Sequence, residues 1–370
     1  MIRTLHIYSL LAAAVACILL TGCIRELCPR QAAGNTDQAE VLLKISTRQT
    51  KADTDYYGIR SIRIYAYRQG ETDQPAVGYA YFPDIDREGP YYCPIQIGDG
   101  SGDISFPAKI DFIVLLNDDS ASPVPDLDET STLSELDSKV FSTISDNPGA
   151  AYVPMCNERI ADVSNIGRNN FSFTVNGTPG QTQVIPIDVK RCVSWLTLNL
   201  TKEGESAITV NNVTLIKGPE DAPLTLRSDV INGTVNYFSG NNASVELLPS
   251  GSSVELVTGD PDTTEGSLVA ETFLLPNPYG SGNPDLYEQE ENSSYNDVNN
   301  TYRLDINYTI KRNGTGAGAT RQKTVYLPSV PANSHIKVTG TIKDAIHTDV
   351  TLNVIVNSWT VHEIDVPAFE

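Results

Sequence analysis

The chain has 370 residues, with 26 basic and 46 acidic side chains and a net charge of −20. That balance argues against a nucleic-acid partner, because phosphate binding needs a positive stripe that displaces counterions. The chain has 26 glycines, 22 prolines and only two methionines, and its short apolar segments are bounded by turn residues, the pattern of an all-β protein of sandwich type.

Residues 1–22 have the three parts of a secretory signal: a basic start at Arg3, an apolar run from Ile7 to Leu20, and small residues before the cut. The run is too short to cross a bilayer as a helix, which needs roughly 20 apolar residues. Leu20-Thr21-Gly22-Cys23 resembles a lipobox, where bacterial lipoproteins are cut just before a cysteine that carries diacylglycerol. Two or three acyl chains hold a protein on a membrane far better than one. The exported chain is therefore expected to begin at a lipidated Cys23 as a membrane-tethered protein, and its length beyond the signal suggests about two domains.

From Arg30 to Glu40 the sequence is polar and without periodicity, a tether. The segment Val41 to Thr47 then places Val41, Leu43, Ile45 and Thr47 on one face of a strand, and Arg48 and Gln49 follow at once. Ile59 to Tyr67 alternates Ile62, Ile64 and Ala66 against Arg63, Tyr65 and Tyr67, a half-buried strand with its aromatic and charged groups outward. GYAYFP and YYCPIQI continue as strands, and Ile110 to Leu116 is an unbroken apolar run suited to a central strand. Residues 132–146 carry the best helical spacing, in Leu133, Leu136, Val140 and Ile144, with Thr130 or Ser131 as the cap. An isolated helix among strands implies a crossover connection.

FSFTV and VIPIDV bracket the turn NGTPGQ. From Val189 onward Cys192, Ser194, Leu196 and Leu198 alternate with Val193, Trp195, Thr197 and Asn199, and the domain boundary is placed close to residue 185. The second half repeats short strands: ITVNNVTLIKG, GTVNYFS, SVELL, SLVAETFLLP, YRLDINYTIKR, KTVYLPS, HIKVTGTIK and DVTLNVIVNSWTVHEIDVPAF. These fit a β-sandwich with Greek-key links. Asn277 to Thr301 is acidic and rich in Asn, and is expected as a long exposed loop.

Catalytic and metal patterns are sparse. His335, His347 and His362 have no nearby triad pattern. Gly314 to Gly318 precedes the strand KTVYLP rather than a helix, so it reads as a hairpin loop and not a phosphate cradle. Asp99 to Asp103 and Asp260 to Glu265 have oxygen ligands at alternate positions but lack the full spacing of a calcium loop, with Ile104 where the turn needs glycine. Asn176-Gly-Thr178 and Asn313-Gly-Thr315 read as turn chemistry, and the strand patterns around Trp195 and Trp359 favour core packing over stacking on a sugar. Cys28, Cys93, Cys156 and Cys192 form no C-x-x-C pair; export permits disulfides, with three pairings open and buried thiols as the alternative. No enzyme, metal or cofactor is expected.

Four pieces in order, the lipobox, VLLKISTRQT before IRSIRIYAY, IPIDVKRCVSWLTLNL, and VTLNVIVNSWTVHEIDV, together resemble the Bacteroidales-type (type V) fimbrillins. Each piece is degenerate alone, but they span nearly the whole chain. The resemblance implies two tandem transthyretin-like β-sandwich domains: signal peptide 1–22, lipid tether and first strand 23–50, an N-terminal domain 51–185 with one short helix, and a C-terminal domain 186–370. It implies a structural subunit of a cell-surface pilus that supports adhesion or biofilm formation. An Arg-specific protease would cut between Arg48 and Gln49, releasing the strand of Val41, Leu43, Ile45 and Thr47; Lys44 and Lys51 would not serve it. Losing an in-register strand exposes unpaired N–H and C=O groups, which a C-terminal strand of the next subunit fills by strand addition.

The donor is expected at Trp359, Val361, Ile364 and Val366, where a phase shift at His362-Glu363 reads as a bulge; residues 350–358 either complete their own sheet or leave with it. Cys28-Pro29 is similar to the accessory anchors of such pili, in which Arg48 would stay uncut and Cys23 would keep the chain on the membrane. A tip subunit would turn the acidic loop 277–301 toward a host or bacterial receptor. A surface glycan-binding lipoprotein is the reading from another class, and it requires exposed tryptophans.

Overall fold

The computed structural model describes residues 37–47, 58–85, 89–98, 104–144, 152–159, 170–178, 180–227, 243–259, 266–280, 301–312, 318–343 and 350–358. Strand β1 (Ala39–Thr47) follows its alternation, with Ala39, Val41, Leu43 and Ile45 buried and the residues between them half-exposed. Next come β2 (Ile62–Arg68), β3 (Gly78–Phe82), β4 (Tyr91–Ile97) and β5 (Ala108–Leu116). Three two-residue strands follow, β6 (Ala121–Ser122), β7 (Val140–Phe141) and β8 (Thr143–Ile144), and then β9 (Met155–Arg159), β10 (Ser172–Val175) and β11 (Gln183–Arg191). The sheet runs β3-β2-β5-β9-β11-β1-β4, with β10 beside β5. Its ends meet where the Gly98 N–H, just past β4, donates to Val77 O, just before β3, at 2.8 Å.

The helix is shorter than the periodicity predicts. Helix α1 spans Leu133–Ser138 and is capped by Thr132, not Thr130 or Ser131. Glu135 N–H donates to Thr132 Oγ1 at 3.1 Å and Thr132 N–H to Glu135 Oε2 at 2.9 Å, a reciprocal capping box. Val140 and Ile144 belong instead to β7 and β8. In Val-Phe-Ser-Thr-Ile the β-branched and aromatic residues favour strand, and distant partners are there to pair with them: Ala121–Ser122 with β8, and Ala222–Pro223 with β7.

The outer face of β2 also departs from expectation. Arg63, Tyr65 and Tyr67 are buried, not outward, because the segment after β6 folds across them. The Tyr65 hydroxyl donates to Asp128 O at 3.0 Å, that of Tyr67 to Ser131 O at 2.7 Å, and Arg63 Nη1 to Leu127 O at 2.9 Å.

The second half contains β12 (Ser194–Glu203), β13 (Ala207–Gly218), β14 (Ala222–Pro223), β15 (Leu226–Arg227), β16 (Ala243–Leu248) and β17 (Val254–Glu255). It continues with β18 (Ser267–Leu274), β19 (Arg303–Lys311), β20 (Ala319–Tyr326), β21 (Ser334–Lys343) and β22 (Val350–Ser358). One sheet runs β18-β12-β21-β22 and another β16-β13-β19-β20, with β17 beside β13. Leu196, Leu198, Ile336 and Val338 of the first pack with Ile208, Val210, Leu304 and Ile306 of the second in one core. The protein is nearly all β, as expected.

Along the chain the hydrophobic core changes over between Val193 and Leu196. Ile185, Ile187, Val189, Cys192 and Val193 belong to the first core and Leu196 onward to the second. The inward phase runs on odd residues along β11 and on even residues along β12, so the crossing lies where the phase changes. Ala222, Leu224 and Leu226 also return to the first core, with β15 pairing β9 in parallel. Thr225 Oγ1 donates to Asp137 Oδ1 at 3.0 Å, tying this return to α1. Of the segment 277–301, Asn277 and Thr301 are buried and the Asn277 backbone exchanges hydrogen bonds with Val330 at 2.8 and 2.7 Å, while residues 281–300 lie outside the described residues.

Candidate strand-exchange site

Strand β1 lies between β4 and β11 with both edges paired. Against β4 it is antiparallel, with Val41 opposite Ile95, Leu43 opposite Cys93 and Ile45 opposite Tyr91. Against β11 it is parallel, with Leu43 opposite Ile185, Ile45 opposite Ile187 and Thr47 opposite Val189. Val41, Leu43 and Ile45 are each 0% exposed. Taking β1 away would thus leave a slot walled by Tyr91, Cys93 and Ile95 on one side and Ile185, Ile187 and Val189 on the other. Burying one aliphatic side chain of this size contributes about 1.5–3 kcal/mol. Three of them match much of the roughly 5–15 kcal/mol by which whole domains are stable, so β1 carries a large share of the stability of this sheet.

The outward face of the same strands is mixed, with Glu40, Lys44, Gln96, Asp188 and Lys190 beside apolar residues. Leu42 lies opposite Pro94 and Val184, and Lys44 opposite Tyr92 and Pro186. Tyr92 is 45% and Val184 54% exposed. Gly98 shapes the mouth of the slot. Its φ of +79° suits glycine, and a Cβ there would run into Asp37 O, two residues before β1.

Of the site residues expected from sequence, Val41, Leu43, Ile45 and Thr47 are therefore placed together on one strand, with Thr47 half-exposed at its end. Cys23, Arg48, Gln49, Trp359, Val361, Ile364 and Val366 lie outside the described residues, as do Cys28, His347, His362 and both acidic loop candidates at 99–103 and 260–265. Residues 350–358 complete their own sheet: β22 pairs β21 antiparallel from Val350 opposite Ile342 to Ser358 opposite Ser334. Trp195 is half-buried and stacks on His335 with ring centroids 4.2 Å apart. Its partner is thus a side chain of the neighbouring strand.

Cys156 and Cys192 are buried thiols outside any disulfide. Burial pushes Cys156 up to about 11 and Cys192 well above the ordinary thiol range. Cys93 is buried in the slot wall. Among the described residues no group of three or more His, Cys, Asp or Glu could hold a metal ion.

A polar cluster that sequence reasoning missed lies beneath the crossing segment. Arg63 Nε donates to Asp118 Oδ2 at 2.9 Å and Nη1 to the Tyr79 hydroxyl at 2.7 Å, and the guanidinium lies 4.3 Å from the centroid of the Tyr81 ring. Burial raises the Asp118 carboxyl above its ordinary value, against the pull of Arg63. The only signal in the sequence is the arginine among tyrosines at alternate positions, which an exposed strand face would share.

No protein-family model and no curated protein matches the sequence. Solved structures do. A protein assigned to cell adhesion from Parabacteroides distasonis aligns over 88% of this chain and 98% of its own, at 11% identity and a TM-score of 0.55. A second, from Bacteroides eggerthii, aligns over 89% and 98%, at 11% identity and a TM-score of 0.53. The chain has the fold of these Bacteroidales adhesion proteins. The tip fimbrial protein Mfa3 from Porphyromonas gingivalis, with a C-terminal truncation, aligns over 86% and 100% at 13% identity and a TM-score of 0.48. The likeness to the two adhesion proteins is one of fold, and in this chain β1 lies inside the first sheet.

Proposed function

We propose that this chain is a non-enzymatic structural subunit of a cell-surface pilus, exported as a lipoprotein through Cys23 and assembled by strand exchange in adhesion or biofilm formation. The observation that carries the reading is β1: a strand buried on its inner face, paired on both edges, and followed at once in sequence by Arg48. Cutting after Arg48 separates β1 and the lipid tether from the rest of the chain. A strand from the next subunit, drawn from Trp359, Val361, Ile364 and Val366, then takes its place. Main-chain bonds supply affinity and alternate side chains supply fit. On this reading the partners are other pilus subunits, with the outer membrane held only until the cut.

N-terminal sequencing of the protein recovered from the cell surface tests it. A start at Gln49 is expected. A blocked, lipidated Cys23 sinks the polymerising reading and leaves a membrane-retained pilus anchor. Deleting residues 359–370 is expected to abolish polymer, and normal polymer from that truncation would remove the donor assignment.

A further inference from the structure

We propose that Asn157 and Asn170, with Gln183 at the far end, hold the β11 wall of the slot in place while β1 is absent. Backbone pairing alone does not do this. β11 meets β9 only from Val189 to Arg191, whereas β1 covers it from Gln183 to Val189. Once β1 has gone, residues 183–188 therefore have no strand ladder on the slot side. On their other side stands β10, and among the described residues no backbone ladder joins it to β11.

Side-chain amides bridge that seam instead. Asn157 of β9 is buried; its Oδ1 accepts from Val114 N–H at 2.8 Å and its Nδ2 donates to Phe112 O at 2.9 Å, which fixes it to the central strand β5. The same Nδ2 donates to Asn170 O at 2.9 Å. Asn170 Oδ1 in turn accepts from Asp188 N–H at 2.9 Å, and Asn170 Nδ2 donates to Asp188 O at 2.8 Å. Two asparagines in series thus carry the sheet from β5 to β11. At the start of β11, Gln183 Nε2 donates to Thr174 O at 2.9 Å and Oε1 accepts from Asn176 N–H at 3.1 Å. A side-chain amide offers a donor and an acceptor, as a peptide group does, so each bridge replaces a rung of a ladder. None of these bonds involves β1, and its departure leaves them intact. Neighbouring strands lie about 4.8 Å apart, so a strand that pairs with β4 and β11 together needs a gap of about 9.6 Å held open between them. Asn157, Asn170 and Gln183 are on this account positioning residues for the exchange.

The inference rests on the strand-exchange reading for the departure of β1, and two readouts keep the two ideas apart. The full chain is cut with an Arg-specific protease, and a peptide of residues 39–47 is the probe. Amide exchange is followed by mass spectrometry at 183–188 and, as an internal reference, at 110–116 of β5. In the uncut chain Asn170→Ala and Gln183→Ala are expected to speed both segments equally, because β1 still pins the wall. After the cut, each variant is expected to exchange at 183–188 at least about tenfold faster than wild type relative to β5, and to bind the peptide at least about tenfold more weakly. A lost bond that only lowered overall stability would move both segments together. Cut variants whose 183–188 amides keep pace with β5 as those of wild type do would overturn the proposal, whatever peptide they bind. Gln183→Ala decides alone if Asn170→Ala does not fold. Wild type that takes up no peptide after the cut counts against strand exchange, and the exchange comparison then still decides the role of the amides.

Discussion

Asn170 and Asp188 are joined by two hydrogen bonds, side-chain amide to backbone, that stand in for a neighbouring strand. Asn170→Ala removes both and leaves the Asp188 backbone groups half-buried without their partner. The expected cost is about 1–3 kcal/mol, read as a lower midpoint in denaturant with an unchanged slope. A midpoint equal to wild type would show that water replaces the amide without loss.

Leu43 is the centre of the slot, opposite Cys93 and Ile185. Leu43→Ala is expected to destabilise the full chain by about 2–5 kcal/mol, from lost transfer energy and the cavity left behind. Because the damage falls on β1 itself, the variant should also lose strand 39–47 to an added Arg-specific protease faster than wild type. Leu42→Ala, on the half-exposed face, is the control and should change the midpoint far less.

The buried Arg63 and Asp118 pair gives a pH dependence with a defined sign. Burial raises the Asp118 carboxyl above its ordinary value of 3.8. A raised value means that the folded state holds the proton more tightly, so this group's contribution is complete below 3.8 and is lost as pH rises through its folded value. The stability of wild type relative to Asp118→Asn is therefore expected to fall between pH 3.8 and neutrality. A difference that grows with pH would mean that Arg63 outweighs burial. Removing one partner altogether, in Asp118→Ala, strands the guanidinium and should cost about 3–5 kcal/mol.

Cys156 and Cys192 should resist alkylation in the native protein at mildly alkaline pH, because burial both covers the sulfur and holds each thiol protonated. Both should react fully after denaturation without reductant, as unbridged thiols do. Mass spectrometry before and after unfolding reads both results. Rapid labelling in the native state would mean that the 222–227 return, where Leu224 O accepts from the Cys192 thiol at 3.2 Å, opens readily.

Much of the strand set was legible in the amino-acid order. Val41, Leu43 and Ile45 alternate with Leu42, Lys44 and Ser46, and the structure buries the first three; the continuous run at Ile110 to Leu116 is likewise central. Helical spacing overextends the helix because Val140 and Ile144 satisfy it as well as they fill short strands, and only their partners at Ala222–Pro223 and Ala121–Ser122 decide between the two. Alternation points Arg63, Tyr65 and Tyr67 to the solvent because it shows that two faces differ, not what covers the second.

Which residues of β1 turn inward, and that Arg48 follows them, can be read from the order of residues, since a two-residue period is a local property. That β1 lies between β4 and β11, and that residues 222–227 return to the first core, follow from the three-dimensional fold alone. Those facts depend on pairing between segments up to about 140 residues apart along the chain, such as Leu43 with Ile185. Such pairing is chosen by the burial that the whole fold offers, not by the preferences of either segment alone.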